Sequence, residues 1–234
     1  MAIVPTELIY EKRIHQDHSW GMEDSDRHFR GDSDLFRTLR LLDRRVAELG
    51  VPYAVIGGMA VFMHGYRRLT NDLNIVVSKK SLDLIHENLV GESYRLNKEG
   101  SRHIRDTERG VLIRFEVAGE FPVNRQPNPI AFPDPVNVSI GMHGASYVGL
   151  GTLLTLKLAS GMTDASRLKD LADVVGLIQT LDLALCFGES LDSFVRPKFS
   201  ELWIGLKESS KPDWLEEWPT NAYNRLVPVE NYPR

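Results

Sequence analysis

The chain has 234 residues, of which 42% are hydrophobic and 26% charged, a composition typical of a folded globular protein with a sizeable core. Its 28 lysines and arginines against 32 aspartates and glutamates give a formal net charge of −4, which argues against a protein that coats nucleic acid with a broadly basic surface. The single cysteine, Cys186, excludes an intrachain disulfide and a cysteine-based metal cluster. The sequence lacks a secretory signal and a long apolar run, so we expect a cytoplasmic protein without a membrane span.

The first segment, residues 1–32, contains several histidines and aspartates but shows neither helical nor strand periodicity. It therefore predicts an irregular, solvated arm in preference to a metal site. Ordered structure is predicted to begin at Ser33, whose hydroxyl can cap a helix. Apolar residues then recur at helical spacing up to Leu49, and Gly50 is a typical helix end.

Residues 33–148 predict an α+β domain. A short helix is expected directly after Gly57-Gly58, and Ser81 is the expected cap of the next helix. The stretch 122–135 contains five prolines and predicts a long loop. Strands are expected at 53–56, 72–77, 93–96, 103–105, 111–118 and 136–140.

Residues 149–208 predict a helical C-terminal region. Three helices are expected, of which the first ends at Gly161 and the third is broken or kinked at Pro197. The tail, residues 209–234, is interrupted by prolines and carries two tryptophans. Such tryptophans favour docking on the body of the protein or on a partner chain, which is compatible with a homodimer.

The chemistry is predicted at the Gly57-Gly58 turn, between a strand and a short helix. Glycines allow backbone N–H groups to approach a ligand closely at the start of a helix, an arrangement that suits phosphate. Fourteen residues after Gly58, Asp72 opens the next predicted strand. If extended backbone begins before that strand, one face presents four polar side chains to the turn: Arg68, Thr70, Asp72 and Asn74.

This order of residues resembles the nucleotidyltransferase superfamily of DNA polymerase β-like fold, and within it the bacterial minimal and abortive-infection toxin-type nucleotidyltransferases. The family signature is Gly-Gly or Gly-Ser, a short helix, and Asp-x-Asp on a strand, often preceded by Arg-x-Thr. Its counterpart here is Gly57, Gly58, Arg68, Thr70, Asp72 and Asn74. The resemblance covers residues 35–180 and implies a mixed β-sheet flanked by helices, followed by a helical region. In that region Lys157 and Lys169 take positions at which related proteins carry basic residues facing the triphosphate.

The resemblance implies transfer of a nucleotide monophosphate from a nucleoside triphosphate to an acceptor hydroxyl on RNA, a protein or a small molecule. Active members use three strand carboxylates to hold two Mg²⁺ ions. In this chain the second carboxylate is replaced by Asn74, and the third aligns with Arg114, with Glu116 as the nearest acid on that strand face. The predicted catalytic set is therefore degenerate. It retains Asp72 as a metal ligand, joined by Glu116 at most.

The charge of this set argues against robust two-metal catalysis. Three carboxylates would provide three negative charges, whereas the charges of Asp72, Asn74 and Arg114 cancel, and one unit charge at 4 Å is worth about 4 kcal/mol at an effective dielectric constant of 20. An engineered Asp-to-Asn change at Asn74 is one explanation, but it leaves Arg114 unexplained. Three functions stay open: an active, Mg²⁺-dependent nucleotidyltransferase; a non-catalytic protein that binds a nucleotide or a partner through arginines without a cofactor; and a structural or assembly protein.

Overall fold

A seven-stranded mixed sheet forms the centre of the computed structural model, which describes residues 9–122 and 127–208. The strand order is β3-β4-β5-β2-β1-β7-β6. β2 runs parallel to β5 and β1 runs parallel to β7, whereas the other neighbouring strands are antiparallel. The strands are β1 Tyr53–Ile56, β2 Asp72–Val77, β3 Tyr94–Leu96, β4 Ile104–Asp106, β5 Leu112–Val117, β6 Ser139–Met142 and β7 Ala145–Val148.

Helices flank this sheet and continue beyond it as a C-terminal layer. α3 contacts β2 and β7, α5 contacts β5, and α7, α8 and α9 pack on one another. The predicted α+β class, a mixed sheet flanked by helices with a helical C-terminal region, is therefore confirmed. The helices are α1 Tyr10–Gln16, α2 His18–Phe29, α3 Asp34–Glu48, α4 Gly57–Met63, α5 Lys79–Leu89, α6 Pro135–Val138, α7 Leu150–Thr163, α8 Leu168–Thr180 and α9 Arg196–Glu208.

The core lies on both sides of the central strands. All four residues of β1 are buried, and so are four of the six residues of β2. Continuous apolar strands of this kind are typical of sheets covered on both faces. The predicted limits of α3 are confirmed, because the Ser33 hydroxyl accepts a hydrogen bond from the N–H of Phe36 and Gly50 adopts a φ of +62° just after the helix.

The N-terminal arm is where the sequence-based expectation fails. The sequence predicts an irregular segment, but the structure contains α1 and α2 there. Tyr10 is buried, its backbone N–H donates to the carbonyl of Gly110 (3.1 Å), and its hydroxyl donates to Asp24 (2.7 Å). Glu11 forms an ion pair with Arg105 on β4, with N–O distances of 2.7 and 3.2 Å. Tertiary contacts therefore hold these helices, in place of a regular apolar repeat.

Three helix boundaries also differ from the prediction. α5 is capped by Ser78, whose hydroxyl accepts from the N–H of Ser81, instead of by Ser81 itself. α7 continues through Gly161, where an added Cβ would lie 2.5 Å from Cγ of Leu171. Gly161 is thus explained by the close packing of α7 on α8 and does not end the helix. Pro197 lies in the first turn of α9, where a proline breaks no helical hydrogen bond, so the helical structure is interrupted before this proline and α9 is not kinked by it.

Residues 135–148 fold as a short helix and a hairpin instead of the single predicted strand at 136–140. Asp134 caps α6 by accepting from the N–H of Val136, and Ser139 is the first residue of β6. β7, which the sequence did not predict, pairs with both β6 and β1. It therefore extends the sheet beyond β1.

Two further expectations concern the C-terminal tail and membrane spans. The tail at residues 209–234, with its predicted docking tryptophans, lies outside the described residues. Among the helices of 9–122 and 127–208, none is long and apolar enough to cross a lipid bilayer.

Candidate functional site

The Gly57-Gly58 turn joins β1 directly to α4 and packs against the polar residues that come before and within β2. Gly57 adopts a φ of +68°, a conformation that favours glycine, and a Cβ there would lie 3.0 Å from Nδ2 of Asn74. A Cβ on Gly58 would lie 2.4 Å from Oγ1 of Thr70. The structure therefore brings both predicted glycines together with Thr70 and Asn74, and the close approach of these side chains accounts for both glycines.

Asp72 lies at the centre of a hydrogen-bonded group of three side chains on neighbouring parallel strands. Asn74 of β2 is directly opposite Arg114 of β5 in the strand register. Nε of Arg114 donates to Oδ2 of Asp72 (2.8 Å), and Nδ2 of Asn74 donates to Oδ1 of Asp72 (3.1 Å). Of the two nearby acids, Asp72 and Glu116, Arg114 therefore pairs with Asp72.

Glu116 lies two residues beyond Arg114 on the same face of β5, but it is not part of this group. Its carboxylate is 4.0 Å from Nη2 of Arg102, which also binds Glu120 through Nη1 at 2.5 Å. Burial raises the pKa of Glu116 above its ordinary value, and the positive charges of Arg102 and Arg114 oppose that shift. Glu116 is thus a partly desolvated acid beside the group that contains Asp72.

The side chains of this site do not fit the two Mg²⁺ ions that the family resemblance implies. Both oxygens of Asp72 already accept hydrogen bonds from side-chain donors, and the guanidinium of Arg114 occupies the position predicted for a third carboxylate. Mg²⁺ requires several oxygen ligands in near-octahedral geometry. Within the described residues, no group of three or more histidines, cysteines, aspartates or glutamates is arranged to hold a metal ion.

Arg68 and Thr70 do not lie on β2, because that strand begins at Asp72. The guanidinium of Arg68 instead reaches α8, where Nε and Nη2 bind the two carboxylate oxygens of Asp173 at 2.5 and 2.6 Å. Its Nη1 donates to the carbonyl of Leu69 (2.9 Å). The condition for a shared strand face is therefore not met. Nη1 of Arg68 would nevertheless lie 3.3 Å from a Cβ on Gly58, so the guanidinium faces the glycine pair, as predicted, while it binds Asp173.

Lys157 is buried in a network of ion pairs between α7 and α8. Its Nζ lies 2.5 Å from Asp170 and 2.8 Å from Asp173. Asp170 also binds Arg167 at 2.8 Å. Lys157 is therefore not a solvated surface lysine, and neither Asp170 nor Asp173 is a surface charge. We refer to these five residues as the cap network: Arg68, Lys157, Arg167, Asp170 and Asp173.

The charges of the cap network outweigh the effect of burial on Asp173. Burial by itself would raise the pKa of this carboxyl group, but the hydrogen bonds and positive charges of Arg68 and Lys157 hold that pKa below its ordinary value. Asp173 therefore stays ionised and holds both cations. The sequence indicated that Asp170 and Asp173 lie on one face of a helix, because they are three positions apart in a predicted helix. It did not identify Arg68 as a partner of Asp173.

Lys169 differs from Lys157 because its side chain is exposed. Burial of part of the side chain lowers the pKa of Lys169, and the nearby positive charge of Arg68 lowers it further. The charge of Asp72 also acts on this pKa, which places Lys169 in the electrostatic field of the candidate site. Of the two lysines predicted to face phosphate, Lys169 is the one accessible to a ligand.

Comparison with known proteins finds likeness only among solved structures, since no protein-family profile and no curated protein matches the chain. An antigenic nucleotidyltransferase-like protein from Paracoccidioides brasiliensis is 12% identical over 78% of this chain and 96% of its own, with a TM-score of 0.43. ANT(2″)-Ia in complex with adenylyl-2″-tobramycin is 11% identical over 71% of this chain and 95% of its own, with a TM-score of 0.44. JHP933 from Helicobacter pylori is 12% identical over 71% and 79%, with a TM-score of 0.38. These values describe a resemblance in overall shape and assign no role to any residue of this chain.

Proposed function

We propose that this chain is a nucleotidyltransferase-fold protein that binds the phosphate groups of a nucleotide without catalysing two-metal nucleotidyl transfer. The observation that carries the proposal is the 2.8 Å hydrogen bond from Nε of Arg114 to Asp72. It supplies a positive charge at the carboxylate that the sequence identifies as the metal ligand, so the charge balance of the site no longer requires Mg²⁺.

The charges around the Asp72 group support an anionic ligand. The cap network contains three cations and two acids, so its formal charge is +1, and Lys169 adds a further positive charge. Arg114 and Asp72 cancel one another, and Glu116 subtracts one charge, so a formal charge of +1 remains. A net positive charge favours phosphate over a metal cation.

Arg114 is the side chain that we expect to contact phosphate directly. It is 44% exposed, and its hydrogen bond to Asp72 uses only Nε. Among the described residues, its terminal nitrogens have no protein acceptor within hydrogen-bonding distance. A planar guanidinium with these nitrogens accessible can bind two phosphate oxygens at once.

An active enzyme is the competing proposal. Transfer to RNA, a protein or a small molecule would require Asp72 to leave Arg114 and to be joined by further carboxylates, of which Glu116 is the nearest on the strand face. The toxin-type subgroup, the acceptor and a homodimer stay predictions from the sequence.

Calorimetric titration of the full chain with ATP, GTP, CTP and UTP, in Mg²⁺ and in EDTA, tests the proposal. We expect at least one triphosphate to bind with a dissociation constant that changes by less than about threefold on removal of Mg²⁺, since the arginine replaces the metal charge. Binding that requires Mg²⁺ would support the enzyme instead. Absence of binding to all four nucleotides would support a structural role.

A pair of matched variants locates the binding. Arg114→Gln removes the charge at the site, and Arg44→Gln removes the same charge from the exposed face of α3. We expect Arg114→Gln to weaken nucleotide binding by about tenfold or more, because charge-assisted bonds to phosphate are lost, and Arg44→Gln to leave it unchanged. Equal effects of the two variants would contradict the proposed location.

A further inference from the structure

A groove separate from the group around Asp72 lies between the N-terminal helices and the segment that leads into β2. One wall is formed by α1, α2 and the turn between them, and the other by Leu69, Thr70 and Asn71. Lys169 of α8 contributes to its lining as well. The volume of about 290 Å³ is close to the lower end of the range for small-molecule sites, roughly 300–1,000 Å³.

The titratable side chains in this groove are basic. His15 and His18 lie on either side of the turn between α1 and α2, and they line the groove together with Lys169. Among the described residues that line it there is no carboxylate. The acid between the two histidines, Asp17, caps α2 by accepting a hydrogen bond from the N–H of Trp20 (3.1 Å). Lys169 supplies a positive charge and the two imidazoles supply hydrogen-bonding groups, a combination that favours an anion.

The groove also presents apolar surface to solvent. Met22 is 60% exposed and Leu69 is 40% exposed, and these two side chains come from the two different walls. Ile14 contributes a third apolar side chain from α1. Large apolar side chains exposed beside convergent polar groups are typical of a site for a ligand with an apolar body.

The wall formed by α1 and α2 is fixed to the rest of the molecule. A Cβ on Gly21 would lie 2.6 Å from the carbonyl oxygen of Ile14, so the two helices meet at a position that only glycine allows without displacement. The guanidinium of Arg13 on α1 lies 4.0 Å from the ring centroid of Trp20 on α2, which adds a cation–π contact between the two helices. Together with the ion pair between α1 and β4, these contacts hold the groove in shape before a ligand binds.

We propose that this groove is a binding site for a small organic anion with an apolar body. His15, His18 and Lys169 bind the anionic group, a phosphate ester or a carboxylate, while Met22 and Leu69 contact the apolar part. Thr70 lines the groove and also packs against Gly58, so a ligand in the groove lies next to the Gly-Gly turn. The groove shares Lys169 with the charges proposed to attract a nucleotide, but His15 and His18 belong to the groove alone, so the proposal does not depend on nucleotide binding at Arg114.

The probes for this site are phenyl phosphate and benzoate, compared with inorganic phosphate and phenol, each titrated into the full chain by calorimetry. We expect at least one of the two amphiphilic anions to bind about tenfold more tightly than either inorganic phosphate or phenol, because the groove offers both kinds of contact. Preference for phenyl phosphate identifies a phosphate ester, and preference for benzoate identifies a carboxylate. Equal affinity for all four probes would overturn the proposal.

Variants that introduce a carboxylate place the binding in the groove. We expect His18→Glu and Lys169→Glu each to weaken binding of the preferred probe by about tenfold, and Lys80→Glu, on the exposed side of α5, to leave it unchanged. Met22→Asp should act in the same direction as Lys169→Glu, with Ile204→Asp on α9 as its control. Loss of binding in Arg114→Gln but not in His18→Glu would assign the probe to the site at Asp72 and overturn the proposal.

Discussion

Arg68 and Asp173 lie 105 positions apart in the sequence and form a bidentate ion pair, with nitrogen–oxygen distances of 2.5 and 2.6 Å. Asp173 is 1% exposed and also binds Lys157 at 2.8 Å. One buried carboxylate therefore pairs with two cations that come from different parts of the chain. It connects the segment before β2 to both α7 and α8.

Replacing this carboxylate should be strongly destabilising. Asp173→Asn leaves Arg68 without its carboxylate partner and Lys157 with Asp170 alone, and breaking a buried pair in this way costs about 3–5 kcal/mol. The expected result is a lower free energy of unfolding in urea denaturation followed by circular dichroism. Asp83→Asn, which removes an exposed partner of Lys79 on α5, is the control and should cost about 0–1 kcal/mol. Similar losses in the two variants would mean that the cap network adds no more than a surface pair.

The central part of the fold could be predicted because its signals are local. Buried runs such as 53–56 and 72–77 are continuous in the sequence, and the Gly57-Gly58 turn marks the junction between β1 and α4. The shared face of Arg114 and Glu116 was also accessible from the alternation along β5, whereas the partner of Arg114 was not.

What the sequence did not reveal depends on contacts between distant segments. α1 and α2 have few apolar residues, and their stability comes from contacts such as that between Glu11 and Arg105. The direction of Arg68 is set by a carboxylate on α8, whose position requires the packing of the whole helical region. For the same reason the groove lined by His15 and Lys169 has no signature in either segment alone.

The acid Glu116 should give the stability a specific dependence on pH. Because burial raises its pKa, the folded state binds this proton more tightly than the unfolded state does. Stability is therefore expected to fall as the pH rises above the ordinary value of 4.5 and until the folded-state pKa is passed. Glu116→Gln should remove this component. The unfolding free energy of the variant minus that of the parent should therefore increase as the pH rises across that interval.

The measurement for Glu116 is a series of urea denaturation curves from pH 4 to pH 7, with parent and variant compared at each pH. Glu120→Gln is the matched control, because Glu120 also binds Arg102 but is 49% exposed. A difference between Glu116→Gln and the parent that stays constant with pH would show that this carboxyl titrates equally in the folded and unfolded states.

The fit of the Gly-Gly turn against Thr70 gives a steric prediction. A Cβ on Gly58 would lie 2.4 Å from Oγ1 and 2.7 Å from Cβ of Thr70, and both atoms are too close for the neighbouring segment to remain in place. Gly58→Ala is expected to lower the free energy of unfolding by about 1–3 kcal/mol, the usual cost of overpacking. Gly141→Ala on β6, where a Cβ would meet nothing within 4 Å, should change stability much less. Thermal denaturation distinguishes the two, and an equally small effect at both glycines would contradict the close packing at Thr70.

Restoring carboxylates should create affinity for a divalent cation. Asn74→Asp alone leaves Arg114 bonded to Asp72, so we expect little gain, whereas Asn74→Asp combined with Arg114→Asp supplies three acids on adjacent strands. Each unit charge near the site is worth about 4 kcal/mol at most at an effective dielectric constant of 20, so Mg²⁺ or Mn²⁺ affinity should rise by about tenfold or more.

Calorimetric titration with each ion measures that gain. A double variant with the same change in net charge on exposed helical surface, Asn88→Asp with Arg44→Asp, controls for non-specific attraction of cations. If Asn74→Asp alone raised the affinity for the cation as much as the double variant does, Asn74 alone would account for the weak metal site and Arg114 would play no part in it. The expected pattern, a gain only when Arg114 is replaced, follows from the guanidinium occupying the place that a metal ion would need.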